Sequence, residues 1–102
     1  MHRIIEQHVP ELQGLCKRHG VKHLVLFGSG VRDDFNPERS DIDLLVTFED
    51  MDPERLADAY FGLKEGIEAL LEREIDLVTE RSVNNPYLRR EIERNNAIVY
   101  AA

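Results

Sequence analysis

A single cysteine among 102 residues, Cys16, leaves no internal disulfide to form and no cluster for zinc. No apolar run approaches the ~18–20 residues that a membrane span requires. The opening Met1-His2-Arg3-Ile4-Ile5-Glu6 has no long apolar stretch behind it, which reads against a signal peptide. Nothing repeats internally and no segment is of low complexity. Bases are few, thirteen against twenty acids, for a formal net charge of -7. Such a chain is not expected to hold a nucleic-acid backbone by bulk electrostatics. These absences point to one soluble, cytoplasmic domain over residues 1–102, with no membrane and no direct nucleic-acid partner.

What is present is unevenly placed. Residues 1–32 carry five bases and two acids, residues 33–80 four bases and sixteen acids, and residues 81–102 four bases and two acids. An acidic middle block fits a cation site, or simply a solvated helix with its loops. Helix-like and strand-like segments alternate along the chain. Ile4, Ile5, Val9, Leu12, Leu15 and Cys16 recur at helical steps over 3–18, with Pro10 as a kink or a true start and Gly20 as a stop. Residues 23–27 form an apolar strand that ends at Gly28-Ser29-Gly30. Val31 to Phe35 reads as one or two helical turns before Asn36-Pro37 breaks the chain.

Residues 42–48 make a second strand. Asp52-Pro53 opens a capped helix with a stripe from Leu56 to Leu71. Residues 74–79 make a third strand, Asn85-Pro86 opens a further helix with Leu88 and Ile92 inward, and 97–100 closes as a fourth strand. The pattern predicts an α/β (α+β) fold: a mixed sheet of about four strands with helices covering one face. The helical link between the second and third strands makes them parallel neighbours, whereas the shorter link from the first to the second allows antiparallel pairing.

Three aspartates stand where a sheet ought to carry apolar residues. Asp41 and Asp43 are two apart, so they project from one face of the second strand. Asp76 occupies the matching place on the third. Carboxylates gathered this closely repel unless a cation joins them, and magnesium is the hard ion that suits oxygen ligands and keeps places for phosphate. The ordinary alternative has Asp41 capping a loop, Asp43 facing solvent and Asp76 paired with an arginine. Gly28-Ser29, ending a strand, presents backbone N–H groups to an anion. No Gly-Lys-Thr/Ser follows, so it is not a Walker loop. Arg32, a helical turn on, reaches the same phosphate or pairs with Asp33 or Asp34.

The string Leu26-Phe27-Gly28-Ser29-Gly30-Val31-Arg32, then Ser40-Asp41-Ile42-Asp43-Leu44-Leu45-Val46, then Glu74-Ile75-Asp76-Leu77-Val78, resembles the polymerase-β nucleotidyltransferase superfamily, in particular its minimal nucleotidyltransferase domains. The resemblance covers nearly the whole chain. It implies two magnesium ions held by Asp41, Asp43 and Asp76, ATP as co-substrate, and phosphates held by Gly28 and Ser29 with Arg32 beside them. The same three aspartates are the catalytic set. The spacer between Ser29 and Asp41 is eleven residues, one longer than usual, and Asp33 replaces the glycine that commonly follows the arginine. Small members of this group are commonly antitoxins that move AMP onto a tyrosine of a HEPN-domain ribonuclease toxin. The resemblance therefore implies a magnesium-dependent protein adenylyltransferase with such a toxin as partner. Two other functions stay open: masking of the toxin by contact alone, and nucleotidyl transfer to a small molecule or an RNA end.

Overall fold

The computed structural model describes residues 3–28 and 42–102. The expected turns over 31–35 and the residues Ser29, Arg32 and Asp41 lie outside them. The N-terminal helix is two pieces, α1 (Arg3–Gln7) and α2 (Val9–Arg18). The break falls at His8, whose Nδ1 bonds the Ile4 carbonyl at 2.8 Å, and Pro10 then sits in the first turn of α2. Proline lacks an N–H and is tolerated only there, so it marks a true helix start. After α2 the chain turns through Gly20 at φ +68 into β1 (Val21–Phe27). That strand begins two residues earlier than the apolar run alone suggests, with a register irregularity between Val21 and His23. β2 (Ile42–Phe48) follows beyond the undescribed stretch.

Asp52 caps α3 (Pro53–Leu71) by accepting from the Arg55 N–H at 2.9 Å. β3 (Ile75–Thr79), a short helical turn at Glu80–Ser82, α4 (Pro86–Arg94) and β4 (Asn96–Ala101) complete the chain. Asn85 caps α4 by accepting from the Tyr87 N–H. The strand order is β3-β2-β1-β4, with β2 and β3 parallel and the other two pairings antiparallel. This is the mixed four-stranded sheet that the pattern predicts.

Alternation along the strands splits the apolar residues between two faces. Leu24, Leu26, Ile42, Leu44, Val46, Ile75 and Leu77 pack against Ile5, Leu12, Cys16, Leu63, Ile67 and Leu71 of the first three helices. Leu15 of α2 and His19, its C-cap, come so near α3 that a Cβ on Gly66 or Gly62 would lie 2.8 Å from their side chains. These two glycines let the helices close up. The opposite face carries a smaller cluster, Phe27, Leu45 and Val78 with Val83, Leu88 and Ile92. The expectation of helices on one face is thus corrected: α4 covers part of the other. A nine-residue helix with Leu88 and Ile92 inward needs an apolar floor, and the second face supplies it.

Candidate active site

Asp43 and Asp76 meet as register partners across the parallel β2–β3 pair. Both belong to the face on which α4 packs, because they share strand parity with Leu45 and Val78. An apolar residue at either position would extend the smaller core; a carboxylate there instead opens a polar end to it. Asp43 is half-buried and Asp76, on the outermost strand, is exposed.

Phe27 pairs with Asp43 on the other side, and the chain leaves β1 through Gly28 at φ +73. A Cβ built on Gly28 would lie 2.7 Å from Asp43 Oδ2. Two separate demands therefore select glycine: a left-handed backbone, and a carboxylate oxygen against its Cα. β4 enters beside the same end, with Asn96 opposite Phe27, and Asn96 Nδ2 donates to the Ile92 carbonyl at 2.8 Å, closing α4 just where the carboxylates gather.

The structure thus brings three of the sequence-derived site residues, Gly28, Asp43 and Asp76, to one end of the sheet. Ser29, Arg32 and Asp41 lie outside the described residues. Among the described residues no group of three or more histidine, cysteine, aspartate or glutamate side chains is gathered to hold a metal. Asp43 and Asp76 offer carboxylate oxygens, the ligand type that a hard cation takes. Cys16 takes no part. It lies in the main core, where burial pushes its thiol up to about 12, so it offers no thiolate nucleophile at neutral pH. No helix among the described residues is long and apolar enough to cross a membrane.

Two supporting side chains escape a reading by motif. The Tyr60 hydroxyl donates to the Leu77 carbonyl, and the Glu68 carboxylate accepts from the Ile75 N–H at 3.0 Å. Both reach from α3 to the free edge of β3 and so hold the strand that carries Asp76. Tyr60 reads in sequence only as part of a helical stripe, and Glu68 as one more solvated acid.

Comparison with known proteins bears on the family of the chain. A family model described as a nucleotidyltransferase domain matches residues 12–99. The protein adenylyltransferase MntA of Thermococcus cleftensis is 39% identical over 82 residues, covering 80% of this chain and 76% of that protein. A solved structure provisionally named a minimal nucleotidyltransferase superposes with a TM-score of 0.76 at 34% identity, covering 95% of each chain. A chain from the complex of tri-AMPylated Shewanella oneidensis HEPN toxin with MNT antitoxin shares the fold, with a TM-score of 0.65 at 21% identity over 96% of this chain and 73% of its own. The family model runs from α2 into β4 and so spans the strands that align Asp43 with Asp76: this chain belongs to the nucleotidyltransferase domain family.

Proposed function

We propose that this domain moves AMP from ATP onto a hydroxyl of a partner HEPN-domain toxin, a tyrosine hydroxyl, and thereby acts as its antitoxin. The observation that carries the reading is the side-by-side placement of Asp43 and Asp76 against the Gly28 turn. The name of the Thermococcus relative and the toxin complex among the fold neighbours support it. In this reading Asp41, Asp43 and Asp76 hold two magnesium ions, and Gly28, Ser29 and Arg32 take the nucleotide's phosphates. Magnesium, when bound, would supply positive charge where negative charge develops on the attacked phosphate and the leaving group.

The chain's own residues do the rest. Gly28 lets the backbone approach without a side chain between phosphate and carboxylate. Asp43, half-buried, has its carboxylate against the Gly28 turn. Asp76, exposed on the outer strand, accepts the proton of the acceptor hydroxyl. The hydroxyl oxygen bonds to the α-phosphorus, the bond from that phosphorus to the bridging oxygen breaks, and pyrophosphate leaves with the electron pair.

The test uses Asp43→Asn, which removes one charge with almost no change of shape. With labelled ATP, magnesium and a HEPN-domain toxin as partner, the wild type is expected to label that partner. The variant is expected to fall by about a hundredfold or more while keeping its fold and its partner. In cells it should fail to relieve toxicity at normal abundance. Full protection by Asp43→Asn would establish masking by contact and overturn the enzymatic reading.

A further inference from the structure

Asp76 is also part of the wall of a groove of about 610 Å³ between α3 and the outer edge of β3. The other walls include Leu56, Ala57, Tyr60, Leu77 and Val78, with Thr79 and Ser82 adding hydroxyls, so the groove is mostly apolar. One turn on from Ala57, on the same side of α3, stands Phe61, 61% exposed with its ring edge-on to Tyr60 at 5.2 Å. Phe61 is not itself a wall of the groove but borders it through Tyr60, which is. Large apolar side chains this exposed are few among the described residues: Phe61, Tyr87 and Ile98.

The surroundings are acidic. Between residues 50 and 76 the chain carries nine acids and three bases. Asp58 and Glu65 flank Phe61 on the exposed side of α3, at steps of three and four residues. One of the bases, Lys64, lies 3.6 Å from Glu68 and is thereby partly neutralised. The edge of β3 is already engaged: the Leu77 carbonyl by Tyr60 and the Ile75 N–H by Glu68. A ligand is thus not seated there as a further strand; it is held by side chains.

We infer that this groove, with Phe61, is the docking surface for a basic segment of the acceptor protein, which packs an apolar side chain against Phe61 and brings its hydroxyl to Asp76. The inference rests on the transfer reading above and adds to it where the acceptor sits. An exposed aromatic with an acid on either side along the helix selects a partner with a hydrophobic anchor among lysines or arginines. The groove's continuity with Asp76 puts that partner where its proton is removed.

The probe is a synthetic lysine-rich peptide with one tyrosine and two leucines, beside the same peptide with glutamate in place of lysine. Both are added to the full-length protein with magnesium and labelled ATP, and backbone amide shifts and label transfer are recorded. The lysine peptide is expected to shift Ala57, Phe61, Leu77 and Val78, and the glutamate peptide to leave them in place. Phe61→Ala is expected to weaken binding about tenfold, Asp58→Lys with Glu65→Lys to abolish it, and Ile98→Ala on β4 to change nothing. Equal binding by Phe61→Ala, or equal binding of the two peptides, overturns the docking surface even where label is transferred. Shifts at the groove that Phe61→Ala weakens, with no label on the peptide, uphold the docking surface; absence of label on the HEPN toxin as well refutes the transfer reading instead.

Discussion

Replacing Gly28 by alanine tests the candidate site through the residue that carries no chemistry. At φ +73 an alanine pays about 1–2 kcal/mol for the left-handed conformation. Restriction of the unfolded chain returns about 0.4–1 kcal/mol of that. The new Cβ would also stand 2.7 Å from Asp43 Oδ2, against 3.4 Å or more for ordinary contact, so the carboxylate must retreat by about 0.7 Å. The carboxylate is the far end of a rotatable side chain, so this displacement adds little to the folding cost. Net destabilisation is therefore about 1 kcal/mol, a fall in melting temperature of about 4–8 °C for a domain of this size. Catalysis should suffer far more, because a shift approaching 1 Å at a reacting group costs up to about a hundredfold. Urea unfolding followed by circular dichroism measures the first effect, and transfer of labelled AMP the second. Gly14→Ala is the matched control: a helical glycine with nothing within 4 Å of its added methyl, expected to gain up to about 1 kcal/mol with activity unchanged. If Gly28→Ala unfolds at the wild-type urea concentration and transfers at the wild-type rate, the close approach of Gly28 to Asp43 has no role in the site.

The remaining expectations concern the frame that holds the carboxylates. Tyr60→Phe removes the hydroxyl that engages the Leu77 carbonyl and should cost about 1 kcal/mol in urea unfolding, with greater self-association in light scattering as the edge of β3 opens. Asp52→Ala deletes the cap of α3 and should cost about 1 kcal/mol, with no loss of helix beyond the first turn by amide exchange. Ile67→Ala, at a fully buried position, should cost about 2–5 kcal/mol by the same unfolding assay. The Cys16 thiol, raised by burial from 9.0 to about 12, keeps its proton in the folded state where the unfolded chain has lost it. Its contribution is thus complete below pH 9 and declines as pH rises from there toward 12. The stability gap between wild type and Cys16→Ala should narrow over that range, and a constant gap would refute the assignment.

Much of the arrangement was legible along the chain because it follows from periods of two and 3.6 residues. Asp43 and Leu45 share a strand face by parity, as do Asp76 and Val78, so the mating of two carboxylates needed only the parallel pairing that a helical crossover implies. Asp52-Pro53 and Asn85-Pro86 announced the starts of α3 and α4 through local capping chemistry. The carboxylate spacing and the Gly28-Ser29 turn by themselves suggested a magnesium and a phosphate. Resemblance added the second metal ion, ATP and the toxin, which no spacing in the chain contains.

Other features depend on which surfaces meet, and local pattern is silent about that. Leu88 and Ile92 mark an inward side of α4 but do not say which face of the sheet receives it; Phe27, Leu45 and Val78 decide this by forming the second cluster. Glycine 28 reads as a turn residue, and only the fold puts it 2.7 Å from Asp43 Oδ2. Phe61 falls outside the buried stripe of α3, yet its meaning comes from Asp76 arriving at the adjacent groove from a strand fifteen residues further along. Periodicity assigns a side chain to a face, since each residue carries its own rotation about the helix or strand axis. The neighbour that face acquires is set by packing of the whole chain, and there the tertiary structure alone decides.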